Sequence, residues 1–96
     1  MKVLWTGAGR ADVDAIWTYV AQDNVEAADV LAQAFHASST LLEKFPKLGR
    51  AGRIRGTREL IVTGTPYLLI YRIVDRVEVL HVLHGARDWP PKRKRS

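Results

Sequence analysis

The chain has 96 residues, 47% of them hydrophobic and 26% charged, with three Trp, three Tyr, two Phe and no cysteine. That is enough apolar material for one core and too little for two, and without thiols there can be no disulfide or thiolate metal site. The formal net charge of +5 favours an anionic partner, either nucleic acid or an acidic protein surface.

The charge is strongly segregated. Residues 1–43 hold two basic and six acidic side chains, whereas residues 44–58 hold six basic and none acidic. A second basic block closes the chain, and residues 91–96 are expected to form a mobile tail behind a single domain spanning residues 1–90. No apolar run reaches the ~18 residues of a membrane span. The N-terminus also lacks the basic-then-apolar pattern of a secretory signal, so a cytoplasmic protein is expected.

Residues 2–5 form a short apolar run suited to an edge strand. Thr6 is placed to cap a helix, with Asp12 and Asp14 early in it. Val13, Ile16, Trp17 and Val20 recur at the spacing of one helical face, which makes Trp17 a core candidate. Asn24 is placed to cap a second helix, with Glu26 and Asp29 near its start. Ala28, Leu31, Phe35, Leu42 and Phe45 lie along one stripe of that helix, and alanines at 27, 28, 32, 34 and 37 raise its intrinsic helicity. Pro46 disfavours the helical conformation at Phe45 and ends it. So short a break between two amphipathic helices implies an antiparallel helical hairpin.

Residues 47–57 have no periodicity, three glycines and four basic side chains, and read as an exposed loop. Strands are predicted at 58–62, 67–74 and 77–84. They are joined by turns at Thr63-Gly64-Thr65-Pro66 and Asp75-Arg76, which dictates an antiparallel meander. Strict alternation places Tyr67, Leu69, Tyr71 and Ile73 opposite Leu68, Ile70, Arg72 and Val74. In the last strand it places Val77, Val79, His81 and Leu83 opposite Glu78, Leu80, Val82 and His84. Both faces are apolar, so the sheet is expected to be covered by the helices on one side and partly by a partner on the other. The predicted fold is α+β, with an N-terminal strand and a helical hairpin packed on a small antiparallel sheet, in the order β-α-α-β-β-β.

Several short motifs occur together: Asp23-Asn24 followed by Ala27-Ala28, Pro46 with Gly49-Arg50, Gly56-Thr57-Arg58-Glu59-Leu60, Pro66-Tyr67 with Tyr71-Arg72, and Leu83-His84-Gly85-Ala86-Arg87 before Trp89. In these residues the chain resembles the toxins of bacterial type II toxin–antitoxin modules in the RelE/ParE superfamily, most closely the ParE-like branch. The resemblance implies a toxin neutralised by a cognate antitoxin. The antitoxin's C-terminal segment, acidic or amphipathic, would wrap the toxin's sheet and helices. One branch of the superfamily cuts mRNA on the ribosome, and the ParE branch is associated with inhibition of DNA gyrase. No cofactor and no metal are implied.

RNA cleavage through the 2′-hydroxyl needs a base, an acid for the leaving oxygen and cations for the transition state. Where the cleaving relatives tend to read Tyr-Arg-Leu-Val-Tyr, this chain reads Tyr67-Leu68-Leu69-Ile70-Tyr71, and it has no Tyr after Tyr71. Arg87, His84 and Arg58 are the residues that would carry cleavage. His84 could equally cap the sheet edge, Glu59 could be a base or an ion-pair partner, and His81 and His36 read as structural. Arg50, Arg53, Arg55, Arg58, Arg72, Arg87 and Trp89 are the candidates for contact with a target or anion. Tyr67, Leu69, Tyr71 and the exposed helix faces are those for the antitoxin. Sequence-specific DNA reading is not expected, because both helices are acidic. The reading favoured by the incomplete cleavage set is a toxin that binds and inhibits gyrase. A ribosome-dependent mRNA endonuclease and a non-toxic partner-binding module are the alternatives.

Overall fold

The computed structural model describes residues 1–91; the basic tail expected at 91–96 lies, from residue 92 onward, outside the described residues. In chain order the elements are β1 (Val3–Trp5), α1 (Gly7–Ala21), α2 (Val25–Lys44), β2 (Arg50–Ala51), β3 (Arg58–Ile61), β4 (Tyr67–Ile73) and β5 (Val77–His84). Among the described residues no helix is long and apolar enough to cross a membrane.

Both helix starts follow from their caps. The Thr6 hydroxyl oxygen accepts from the Gly9 N–H at 3.0 Å and donates to the Val79 carbonyl at 2.9 Å, so one side chain both caps α1 and ties it to β5. Gly9 lies so close to β5 that a Cβ there would come within 2.8 Å of the Val79 carbonyl oxygen. Asn24 caps α2 through the Ala27 N–H. Trp17 is half-buried, and its indole N–H donates to Asp29 at 2.9 Å, joining the two helices. The helix ends at Lys44, where the chain reaches Phe45 and Pro46.

The sheet has the order β1-β5-β4-β3-β2. The meander β3–β4–β5 is antiparallel as its short turns require. The sheet as a whole is mixed, because β1 runs parallel to β5, with Val3 opposite Val77 and Trp5 opposite Val79. A parallel neighbour needs a crossover connection, and the helical hairpin supplies one. Part of the expected loop at 47–57 is also a strand: Arg50 and Ala51 pair with Glu59 and Arg58.

The alternation expected for β5 is corrected by a bulge. Ile70 pairs with His81 but Tyr71 pairs with Val79, leaving Leu80 unpaired. One extra residue reverses every later side chain. Val82 therefore joins Val79, Phe35, Val62 and Leu69 in the core beneath the helices, and Leu83 joins Leu68 and Ile70 on the opposite face. The helix-side core continues through Leu42, Tyr71 and Val77, all fully buried. Burial of each such large side chain stabilises the fold by about 1.5–3 kcal/mol. On the second face Trp89 packs against Leu68, Ile70 and Leu83, so the chain's own C-terminal segment covers ground that the apolar pattern had assigned to a partner.

Candidate functional site

The basic segment after α2 is built around one carboxylate. Glu59 on β3 points to the face away from the helices, and its side chain is 1% exposed. It accepts from the Arg53 backbone N–H at 3.0 Å and from the Arg53 guanidinium at 3.2 Å, with Arg50 at 3.4 Å. Burial alone would raise this carboxyl. The Arg53 backbone and side-chain hydrogen bonds, with Arg50, outweigh it and hold Glu59 below the usual carboxylate range. Arg58 is directed inward as well, donating to the carbonyls of Gly49 at 2.8 Å and Lys47. The same turn is fixed from below by Tyr71, whose hydroxyl donates to the Pro46 carbonyl at 2.7 Å and accepts from the Gly49 N–H at 2.8 Å.

A second carboxylate organises the far end of the sheet. Glu78 pairs with Arg72 at 2.6 Å and Arg76 at 2.9 Å, and these contacts, Arg72 first, keep its carboxyl below the usual range. Arg50, Arg53, Arg58 and Arg72, all expected to meet an external anion, thus already meet a carboxylate or carbonyl of their own chain. Only the Arg55 and Arg87 side chains, of the arginines singled out, take no hydrogen bond or ion pair among the described residues.

Of the three residues expected to carry cleavage, two come together. His84 ends β5, is exposed, and lies edge-on to the Tyr67 ring at 5.4 Å. Its Nδ1 accepts from the Ala86 N–H at 3.0 Å, which leaves Nε2 to carry the proton of the neutral ring. Arg87 follows one turn later, its N–H bonded to the His84 carbonyl. With Asp12, Ile16, Tyr19 and Tyr67 these two line a groove of about 280 Å³ between α1 and the sheet. Arg58 does not join them. It lies opposite Tyr71, while His84 lies opposite Tyr67, a displacement along β4 of roughly 13 Å at the usual strand rise. The groove offers one imidazole, two phenols, the Asp12 carboxylate and one guanidinium, and among the described residues no second cation lines it to flank a phosphate.

Asp12 is a member of this region that the residue pattern does not announce. Its Oδ2 accepts from the Val82 N–H at 3.0 Å and from His81 Nδ1 at 2.9 Å, closing the part of the β5 edge that β1 does not reach. The only local signal is a carboxylate on the α1 face that also carries Ile16 and Tyr19, and its partners are 69 and 70 positions away. His81 is structural as expected, held between Asp12 and the Trp89 ring at 5.2 Å. His36 is exposed on α2 and lines a shallow groove with Trp5, Arg10, Asp14 and Phe35.

The second face of the sheet carries a cleft of about 540 Å³. Its wall is the loop with Ile54 and Arg55, its floor is Ile70 and Leu80, and Arg72, His81 and Trp89 complete it. Trp89 is also tied to the loop, its carbonyl accepting from Arg53 at 3.4 Å. Its indole N–H is buried with no acceptor among the described residues.

Two residues expected to meet an antitoxin cannot do so in this arrangement. Leu69 and Tyr71 are fully buried because their face of β4 is the one beneath the helices. Tyr67 is half-buried against Phe35. Exposed apolar side chains occur on the helices and just beyond them, at Tyr19 on α1, Val30 and Leu41 on α2, and Phe45 and Leu48 after it, and also on the sheet side at Leu4, Ile61 and Val74.

This geometry sits on a chain that has clear relatives. The family model of the ParE toxin of the type II toxin–antitoxin system parDE matches residues 3–89. "Putative toxin Y4kP" of Sinorhizobium fredii is 35% identical over 89 residues, 93% of each chain. Toxin RelE2 of Caulobacter vibrioides is 32% identical over 87 residues, covering 90% of this chain and 97% of its own. A chain in the solved chromosomal ParDE TA system from P. aeruginosa superimposes with a TM-score of 0.75 at 26% identity, over 85% of this chain and 92% of that one. With the family model spanning nearly every described residue, the chain belongs to the ParE family of type II toxin–antitoxin toxins.

Proposed function

We propose that this toxin acts by binding DNA gyrase and inhibiting it, and that a cognate antitoxin neutralises it. The observation that carries the first part is the use made of the basic side chains. Glu59 engages Arg50 and Arg53, backbone carbonyls engage Arg58, and Glu78 engages Arg72. His84 and Arg87 are left at the other end of the sheet with Tyr67. Phosphoryl-oxygen chemistry on RNA needs preorganised cations around the phosphate as well as an acid and a base, and Leu68, where cleaving relatives place arginine, is buried under Trp89. A surface that presents Arg87, His84 and the rim of the groove suits recognition of a protein target.

The antitoxin fits the helical side. Leu41, Phe45 and Leu48 are each about half exposed, with Lys44 and Lys47 among them. An amphipathic acidic segment would cover the apolar stripe and pair with the lysines. Cytoplasmic targets of this kind match a chain without a membrane-spanning helix among its described residues.

Primer extension on translated transcripts after induction of the toxin tests the reading. Intact transcripts alongside growth arrest are expected. New cleavage sites that disappear in Arg87→Ala would overturn it in favour of an endonuclease.

A further inference from the structure

We infer that the outward face of α2 pairs with the same face of a second copy of this chain, the two helices running antiparallel about a two-fold axis. The inference does not rest on the gyrase reading. It shares Leu41 with the antitoxin reading but also needs Val30, nearer the start of the helix, which that reading does not use.

The face follows from the helical repeat. Ala28, Phe35 and Leu42 recur at heptad spacing and are buried in the core. At about 100° per residue, Glu26, Val30, Gln33, Ala37, Leu41 and Lys44 fall on the opposite side, and every one of them is exposed. Val30 is 64% exposed and Leu41 is 49% exposed. Glu26 and Lys44 form no ion pair among the described residues.

Read along its length, this face is its own complement. An acid, Glu26, stands at its start and a base, Lys44, at its end. Val30 and Leu41 lie next inward, and Gln33 and Ala37 flank the middle. All three pairs are centred on about position 35. One two-fold axis there sets Glu26 opposite Lys44 of the second copy, Val30 opposite its Leu41 and Gln33 opposite its Ala37, and each contact is made twice. Glu26 and Lys44 are five turns apart and Val30 and Leu41 about three, so each pair stays in line on the face.

Charge decides the direction. A parallel pair would set Glu26 against Glu26 and Lys44 against Lys44. The antiparallel pair matches opposite charges and opposes the helix dipoles. The other charges nearby stand off the line: Asp29 is held by the Trp17 indole, and Glu43 lies about 100° round the helix from Lys44. The small Ala37 near the middle lets the helix axes approach to the usual separation of roughly 8–10 Å. One helix pair buries less than the roughly 1,200 Å² of a stable interface, so the dimer is weak and reversible.

The test is sedimentation equilibrium of the full-length toxin without antitoxin, from about 5 μM to about 1 mM in roughly 0.15 M salt. A monomer–dimer equilibrium with a Kd of about 100 μM is expected. Val30→Glu should raise that Kd about tenfold or more. Glu26→Lys and Lys44→Glu should each raise it about three- to tenfold. The double variant Glu26→Lys/Lys44→Glu restores opposite charges across the two-fold and should return towards the parent value. All three positions are exposed, and circular dichroism checks that each variant folds. A toxin that stays monomeric throughout the range would overturn the inference and leave the face to a different protein. A dimer unchanged by Val30→Glu, a double variant no tighter than the single ones, or assemblies that grow beyond the dimer would each overturn it as well. With no antitoxin present, none of these results bears on the antitoxin reading.

Discussion

Replacing Glu59 by glutamine probes the device that holds the loop. Glutamine keeps the length and one acceptor for the Arg53 N–H but removes the charge, and its amide nitrogen must face a guanidinium. A hydrogen bond to a charged group contributes about 1.5–3 kcal/mol. Loss of one partner of a buried pair can cost about 3–5 kcal/mol when the other charge is stranded. Here the stranding is incomplete, because the side chains of Arg53 and Arg50 are 41% and 64% exposed and can turn to water. The expected cost of Glu59→Gln is therefore about 1–3 kcal/mol, a fall in Tm of roughly 4–24 °C for a domain of this size. Urea denaturation followed by circular dichroism at several pH values measures both the cost and its origin. A carboxyl held low in the folded state and released to about 4.3 on unfolding contributes stability that is fully present above the unfolded value. That stability is lost as pH falls through the folded value. The parent protein should thus weaken in acid, and Glu59→Gln should lose part of that dependence, leaving the share due to Glu78. A variant within ~0.5 kcal/mol of the parent, the range of ordinary surface changes, with the same acid limb would refute the role assigned to Glu59.

Three further substitutions bear on the same framework. Tyr71→Phe removes the hydroxyl that bridges Pro46 and Gly49 and leaves a buried N–H unpaired, so a loss of about 1–3 kcal/mol is expected by urea denaturation. Burial raises the Tyr71 phenol, so the parent's stability from this group is full below the unfolded value near 10. It is lost as pH rises through the folded value, and the Phe variant should lack that alkaline component. Gly49→Ala would bring a methyl group within 2.7 Å of the Tyr71 ring and 2.9 Å of the Glu59 carbonyl, and should cost about 1–3 kcal/mol in thermal melts. Leu41→Glu changes an exposed side chain, so its Tm should stay within a few degrees of the parent's. Its affinity for the antitoxin, measured by calorimetry, should fall by about tenfold or more.

Much of the framework was legible in the residues because it rests on local rules. Thr6 and Asn24 cap the helices they were placed to cap, Pro46 follows the end of α2, and the turns at Gly64 and Asp75 produce an antiparallel meander. The misses are all non-local. The bulge at Leu80 interrupts an alternation that is apolar on both faces, so no change of residue type marks it. Leu69 and Tyr71 were assigned to a surface for the same reason, since a strand apolar on both sides does not reveal which side the helices cover. The parallel pairing of β1 depends on where the hairpin returns the chain. For the candidate site, the grouping of His84 with Arg87 follows from their closeness in the chain, and the addition of Tyr67 follows from strand register. Glu59 was readable as an ion-pair partner among arginines. That its pairs would consume the charges expected to recruit a partner depends on the fold of residues 50–59, where β2 turns back on β3.

The account's central claim is that this ParE family toxin inhibits by binding its target, and the most direct measurement is DNA supercoiling by purified gyrase in the presence of the purified toxin. Supercoiling should fall as toxin approaches and exceeds the enzyme concentration, and should recover when the cognate antitoxin is added. Unchanged supercoiling at large toxin excess, with toxin shown to be folded, would contradict the claim.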